Sequence, residues 1–221
     1  MMTLLLLSLS CLSPPSPDGA LVQSMDTDGD GLNLSEENRS LTDPNNPDTD
    51  ADSYTDGEEV EAGTQPRNPY SRPYAGGYPD NACLDSTPSP TGTQIGDIAP
   101  DFALIDQFGE LVSLYSFCKR PIVLYSCAAG SPVCVRLVQE GVEDAVDEQV
   151  LVVIPYVDSG TAFTEPTLDD VIAFAQELDT EGVPVLLDPY QFIPQTYERD
   201  LDAITVVRFG SGLTLESIDQ D

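Results

Sequence analysis

Thiols and carboxylates are the side chains of this sequence whose spacing could support chemistry. The chain of 221 residues contains no His, which excludes Ser-His-Asp and Cys-His catalysis within the chain and zinc held by His. Cys127 and Cys134 stand on either side of Ala-Ala-Gly-Ser-Pro-Val, directly after an apolar run. Such a pair could form a thiol redox centre.

Carboxylates at a fixed spacing form a second set of candidates. In residues 26–37 they occupy loop positions 1, 3, 5 and 12, with Gly31 at position 6, and a second copy begins 22 residues later at Asp48. This is the spacing of a calcium loop, in which alternating carboxylates surround a hard cation and the last Glu binds it bidentately. The predicted ligands of calcium (Ca2+) are Asp26, Asp28, Asp30, Glu37, Asp48, Asp50, Asp52, Asp56 and Glu59.

Each loop departs from the full pattern at a different point. Leu34 removes the ligand at position 9 of the first loop, whereas Asp56 holds that position in the second. Ser53 replaces the glycine that eases the sharp turn of the second loop. We expect both loops to bind calcium, which orders the segment and takes no part in catalysis. The alternative is a solvated acidic linker, which repulsion between carboxylates would keep open.

The negative charge of the chain limits the classes of partner that it can bind. There are 39 Asp plus Glu against 8 Lys plus Arg, which gives a formal net charge of -31. This argues against nucleic acid or an anionic membrane surface as a partner, because each approach would begin with repulsion. The sequence indicates no particular protein partner. A salt-rich habitat is a further explanation of the acidity, since the excess extends beyond the loops.

Residues 1–11 predict an export signal. The apolar run over residues 3–12 is too short to span a bilayer as a helix, and Ser10 before Cys11 resembles the end of a bacterial lipoprotein signal. We therefore expect an exported protein of the cell envelope or extracellular space, with a lipidated Cys11 as the route of membrane attachment. Residues 12–23 predict a Pro/Ser tether.

The rest of the chain divides into a linker and one α/β domain. Residues 69–94, rich in Pro, Gly and Tyr, predict an irregular linker. From residue 95 to residue 221, apolar runs alternate with helical patterns, which predicts a mixed central sheet with helices on both faces. The expected elements are strands at 101–105, 110–114, 122–125, 151–154 and 185–187, helices at 134–146, 167–178 and 191–199, and a hairpin of 204–209 with 213–217.

The opening of this domain resembles a known family. Residues 95–104, Ile-Gly-Asp-Ile-Ala-Pro-Asp-Phe-Ala-Leu, and residues 106–114, Asp-Gln-Phe-Gly-Glu-Leu-Val-Ser-Leu, resemble the start of redoxins, the alkyl hydroperoxide reductase/thiol-specific antioxidant family of the thioredoxin-like superfamily. The resemblance implies a thioredoxin-like fold over residues 95–221. It also implies that the chemistry lies after the strand at 122–125, where the next helix begins.

Two alignments of the family motif remain open at that place. Peroxiredoxins carry a Thr or Ser, two residues and then the peroxidatic Cys, which Ser131 and Cys134 match. This alignment implies that Cys134 attacks a peroxide, that the Ser131 hydroxyl holds peroxide and thiolate, and that Cys127 resolves the product. Thiol-disulfide oxidoreductases of the family carry Trp-Cys-x-x-Cys. Gly130 and Ser131 would then replace the Trp and the attacking Cys, which would abolish dithiol exchange.

The start of a helix favours a thiolate at Cys134, because unpaired N–H groups and the positive end of the helix dipole face it. Peroxiredoxins add an Arg, for which Arg199 and Arg208 are the candidates. Against activity, Ala203 stands where the thioredoxin-like fold usually has a proline beside the active cysteine. The alternative is therefore a buried or disulfide-bonded structural Cys134.

The four cysteines that follow the signal, Cys83, Cys118, Cys127 and Cys134, allow three pairings. Cys118 and Cys127 flank a strand, which separates them by about 25 Å, beyond the ~7 Å limit for a disulfide. We favour Cys83 with Cys118, which leaves Cys127 beside Cys134.

The acidic segment resembles a second family. The two loops and their connection over residues 41–47, Leu-Thr-Asp-Pro-Asn-Asn-Pro, resemble bacterial thrombospondin type 3 repeats over residues 24–68. Such repeats bind calcium without the paired helices of an EF-hand. A dockerin-like pair of loops is the alternative, although few helical residues are expected after each loop.

These features predict an exported thiol-dependent redox protein that acts on a peroxide or disulfide substrate and carries a calcium-ordered N-terminal segment. The alternative is a catalytically degenerate thioredoxin-like domain that serves as a calcium-binding scaffold or binding module at the cell surface.

Overall fold

The computed structural model describes residues 24–78, 82, 88–145, 147–160, 162–197 and 203–220. The predicted export signal with Cys11, the tether, Cys83 and Arg199 lie outside the described residues. Within the described ranges, no helix combines the length and apolar character needed to cross a membrane.

Among the described residues, two short helices begin within the acidic loops, and three further α-helices belong to the C-terminal domain. They are α1 (Leu34–Ser40), α2 (Asp56–Ala62), α3 (Pro132–Asp144), α4 (Leu168–Leu178) and α5 (Phe192–Thr196). A 3-10 helix spans Leu114–Phe117.

The strands form one large mixed sheet and a separate hairpin. They are β1 (Ala103–Asp106), β2 (Leu111–Ser113), β3 (Ile122–Ser126), β4 (Gln149–Ile154), β5 (Val157–Asp158), β6 (Phe163–Thr164), β7 (Val185–Leu187), β8 (Thr205–Phe209) and β9 (Leu215–Gln220). The large sheet has the order β2-β1-β7-β4-β3-β8-β9, and β5 pairs with β6. The central strands β3, β4 and β7 are parallel, whereas β1, β2, β8 and β9 are added in antiparallel pairs.

The central strands β3 and β4 of the sheet are buried on both faces. Ile122 and Leu124 of β3 belong to one apolar cluster, and Val123 and Tyr125 to the other, because successive side chains of a strand point to opposite faces. Residues of α3 and α4 complete the second cluster. The 3-10 helix and α5 contribute to the first. The arrangement β3-α3-β4 followed by α4 and the β8-β9 hairpin is thioredoxin-like, so the predicted fold class is confirmed.

Several boundaries differ from those expected, each for a local reason. The second strand ends at Ser113, because the Ser113 hydroxyl accepts a hydrogen bond from the Tyr115 amide at 3.0 Å and begins the 3-10 helix. The last strand begins at Leu215, because Leu213 has a φ of 64° and lies in the turn. Of the helix expected over 191–199, the described residues up to 197 show Phe192–Thr196 as helical.

Part of the predicted linker packs against the domain. Its backbone over residues 70–78 is irregular, as expected, but Tyr74 and Tyr78 are buried in the first apolar cluster. The Tyr74 hydroxyl pairs with the Ser116 hydroxyl at 2.6 Å, and the Tyr78 hydroxyl donates to Asp106 at 3.0 Å. These aromatic residues therefore hold this part of the linker against the 3-10 helix and the end of β1.

Candidate functional site

Cys127 and Cys134 are joined by a disulfide, with 6.3 Å between their Cα atoms. Cys127 directly follows Ser126, the last residue of β3, and Cys134 is the third residue of α3. The two residues are only 1% and 0% exposed. The structure thus brings the two predicted thiols together, in their oxidised state and shielded from solvent.

Ser131 and Pro132 explain why α3 begins where it does. Pro132 is the first helical residue, a position at which its missing N–H costs nothing. The Ser131 hydroxyl accepts a hydrogen bond from the Cys134 amide at 3.3 Å and caps the helix. Ser131, predicted to hold peroxide and thiolate, is therefore a helix cap in this state. After reduction, the thiolate of Cys134 would lie in the first turn, where the helix dipole favours it.

The β5-β6 hairpin lies across the loop that joins the two cysteines. The Ala129 amide donates to the Tyr156 carbonyl at 3.0 Å, and the Asp158 amide donates to the Ala129 carbonyl at 2.9 Å. The Tyr156 and Phe163 rings meet edge to face, with centroids 4.6 Å apart. The hairpin therefore fixes the cysteine loop from one side.

Arg208 is not the cation expected beside Cys134. In the sheet it is paired with Val123 near the start of β3, whereas Cys127 follows the other end of that strand. Its guanidinium lies 3.7 Å from the Glu148 carboxylate. At the cysteine end, Ser126 is paired with Thr205, which brings the chain before Thr205, with Ala203, towards the disulfide.

Cys118 is buried and disulfide-bonded. It is not bonded to Cys127, in agreement with the strand-length argument, because Cys127 is bonded to Cys134. Its favoured partner, Cys83, lies outside the described residues, so that pairing stays a prediction.

The two acidic loops share one internal hydrogen-bond pattern. The Asp26 carboxylate accepts from the amides of Gly29 at 2.7 Å and Gly31 at 3.2 Å. The Asp48 carboxylate accepts from the amides three and five residues later, at 2.8 and 3.0 Å. In each loop, the carboxylate at position 1 therefore holds the following five residues of backbone in a tight turn around it.

Several carboxylate oxygens of the two loops are buried without a hydrogen-bond partner. Such oxygens are costly to bury unless a cation balances them. An all-oxygen donor set with alternating carboxylates suits calcium, so the residues present fit that ion. The oxygens are Asp28 Oδ1 and Oδ2, Glu37 Oε2, Asp50 Oδ1 and Oδ2, Asp52 Oδ2 and Glu59 Oε2.

The two glutamates at position 12 have matching surroundings. Glu37 is 1% and Glu59 0% exposed, and the hydroxyls of Thr42 and Thr64 donate to their Oε1 atoms, each at 3.2 Å. Burial, with the nearby carboxylates of Asp52 and Asp50, raises the pKa of Glu59 to about 8. A bound cation would offset the repulsion behind this shift.

The carboxylates form three groups in which the ligand atoms lie within 4.8 Å of one another: Asp26, Asp28 and Asp30; Asp48, Asp50 and Asp52; and Asp30, Glu37 and Asp56. Asp56, predicted from spacing as a ligand of the second loop, thus forms a group with two residues of the first. Spacing could not reveal this, because it depends on how the two repeats pack.

A short helix begins at position 9 of each loop and continues for three residues beyond position 12, so few helical residues follow each loop, as expected. The signal is a capping box, Asn33 with Glu36 before α1 and Thr55 with Glu58 before α2. Membership of the thrombospondin type 3 repeats stays a prediction.

Comparison with protein-family models finds no match, and comparison with curated proteins finds none. The fold is similar to solved structures. A pneumococcal exposed lipoprotein thioredoxin from Streptococcus pneumoniae is 23% identical with a TM-score of 0.44, over 55% of this chain and 90% of that one. A thiol peroxidase from Chromobacterium violaceum is 12% identical with a TM-score of 0.46, over 62% and 83%. A peroxidoxin from Mycobacterium tuberculosis is 17% identical with a TM-score of 0.47, over 58% and 86%. With identities of 23% or less and TM-scores below 0.5, this likeness carries no argument about function, and the chemistry must be argued from this chain's residues.

Proposed function

We propose that this protein is an exported thiol-dependent redox protein in which Cys134 reduces a peroxide and Cys127 resolves the oxidised sulfur. The observation that supports this most is the Cys127–Cys134 disulfide in the first turn of α3. A resolving thiol must reach the peroxidatic sulfur, and here the two sulfurs are bonded.

The reaction balances with these two thiols and an external dithiol. The Cys134 thiolate attacks one peroxide oxygen, the O–O bond breaks, and the leaving oxygen takes up a proton as water or an alcohol. Cys134 becomes a sulfenic acid. The Cys127 thiol attacks that sulfur, the S–O bond breaks, water leaves, and the disulfide forms. An external dithiol then returns two electrons and is itself oxidised to a disulfide.

Peroxide consumption by the reduced protein tests this proposal. The wild type should consume one peroxide per Cys127–Cys134 disulfide formed, faster than free cysteine. Cys134→Ala should consume peroxide no faster than free cysteine, whereas Cys127→Ala should stop at a sulfenic acid that a dimedone probe labels. Wild-type consumption at the rate of free cysteine would overturn the proposal.

Burial of both cysteines favours one alternative function. Because Cys127 and Cys134 are 1% and 0% exposed, the disulfide could serve only to stabilise a calcium-binding scaffold at the cell surface. A dithiol such as dithiothreitol distinguishes the two. A redox centre is reduced in the folded protein, whereas a structural disulfide persists until unfolding.

Calcium binding by the acidic segment is the second part of the proposal. It is supported by the buried carboxylate oxygens without partners in both loops. Titration calorimetry on the chelated full chain should show heat of calcium binding, and a trace without heat would leave only an acidic linker. Export agrees with the disulfide, since disulfides persist in oxidising compartments.

A further inference from the structure

The first acidic loop has no oxygen ligand of its own at position 9. Calcium takes six to eight oxygen ligands, and Leu34 stands at position 9, where the second loop has Asp56. In the fold, the Asp56 carboxylate lies with those of Asp30 and Glu37, within 4.8 Å.

The contact between the two repeats is close at this point. The Gly57 amide donates to Asp30 Oδ2 at 3.1 Å. A Cβ atom at residue 57 would overlap the backbone carbonyl oxygen of Asp30, so glycine permits the approach. The start of α2 is thereby held against the first loop, with Asp56 beside it.

Two buried side chains point to a cation at this place. Glu37 is 1% exposed and its Oε2 has no hydrogen-bond partner. Asp56 is fully buried, and its two oxygens accept from the Thr49 amide at 2.9 Å and the Thr49 hydroxyl at 2.7 Å. Because each carboxylate oxygen has two lone pairs, Asp56 keeps acceptor capacity for an ion.

We infer that Asp56 is a ligand of the first calcium site, supplied across the repeat boundary in place of the ligand that Leu34 cannot provide. The inference rests on the calcium binding proposed above. It makes the first site a product of both repeats, whereas the second site is built from Asp48, Asp50 and Asp52 with Glu59.

To test this, one calcium site is weakened by substitution so that the other can be studied in the full chain. The protein is freed of calcium with a chelator and then titrated with calcium. Asp50→Asn removes a ligand of the second site and leaves the first, and Asp28→Asn does the reverse. Asp56→Asn added to Asp50→Asn should weaken the remaining site about tenfold or more, as expected for loss of a charged ligand. Added to Asp28→Asn, it should weaken the remaining second site by a smaller factor, through loss of a charge that acts on Asp50 and Asp52 without a lost ligand.

Thr49→Val distinguishes a role of Asp56 as a calcium ligand from a role as a structural hydrogen-bond acceptor. It removes the hydroxyl that bonds to Asp56 but leaves the charge, and should leave the first site's affinity within about threefold. Far-UV circular dichroism checks that each variant is folded. Equal weakening by Thr49→Val and Asp56→Asn, or weakening of the second site alone by Asp56→Asn, would overturn the inference. Absence of calcium binding by the wild type would overturn the proposed calcium function and this inference with it.

Discussion

Gly130 lies against the backbone carbonyl oxygen of Asp158, so that a Cβ atom at Gly130 would stand 2.8 Å from that oxygen. Gly130 also has a φ of 85°, a conformation that L side chains rarely adopt. The contact joins the loop between Cys127 and Cys134 to the β5-β6 hairpin. We therefore expect access to the disulfide to depend on how closely the hairpin lies on this glycine.

Gly130→Ala should displace the hairpin and destabilise the domain by about 2 kcal/mol, which combines backbone strain with steric overlap. Gly160→Ala is the matched control, because Gly160 has a φ of 77° in the same hairpin but no neighbour within 4 Å. Urea unfolding gives the stabilities, and mass spectrometry of alkylated cysteines gives the rate of reduction by dithiothreitol. The Cys127–Cys134 disulfide should be reduced faster in Gly130→Ala than in Gly160→Ala. Equal rates would show that the hairpin does not control access.

Ser53→Gly should strengthen calcium binding by the second loop. Ser53 has a φ of 84°, close to the 100° of Gly31 at the same place in the first loop, and relief of this strain is worth about 1 kcal/mol, or about fivefold in affinity. Gly31→Ser is the reciprocal change and should weaken the first loop by a similar factor. Calorimetric titration of both variants checks this. Unchanged or weaker calcium binding in Ser53→Gly would show that strain does not limit the second loop.

Glu59→Gln should weaken the second calcium site about tenfold or more, because it removes a buried bidentate charge. Glu61→Gln is the control, since Glu61 lies in the same helix α2 but is exposed. The affinities come from competition with a calcium-sensitive chelator dye. If the two variants bind alike, Glu59 is not a ligand.

Glu110→Ala should loosen the acidic segment from the domain. The Glu110 carboxylate accepts hydrogen bonds from the Tyr54 hydroxyl and, at 2.7 Å, from the Ala75 amide. Their loss should cost about 1 to 3 kcal/mol. Limited proteolysis should then cut the chain between residues 62 and 78 sooner than in the wild type. Glu165→Ala, a change of an exposed residue, should leave the cleavage rate unchanged, and an unchanged rate in Glu110→Ala as well would contradict the docking role.

Some features of the fold and of the candidate site can be predicted from the local sequence pattern. Others depend on how distant segments of the chain pack together. The apolar run at Ile122 and the capping residues around Thr167 determine their strand and helix locally, and both are observed. Ser131 as cap and Pro132 as first helical residue place Cys134 in the first turn of a helix for the same reason. The grouping of Asp56 with the first loop and the distance of Arg208 from the cysteines depend on how repeats and strands pack. Spacing along the chain carries no information about such contacts.

The most direct test of the central claim is the redox state of Cys127 and Cys134 in the folded protein. The protein is equilibrated with dithiothreitol under native conditions, one equivalent of hydrogen peroxide is added after removal of the reductant, and alkylated peptides are mapped by mass spectrometry at each stage. We expect the disulfide to open while the domain remains folded and to re-form within the time of one peroxide turnover. A disulfide that stays closed until the domain unfolds would contradict the central claim.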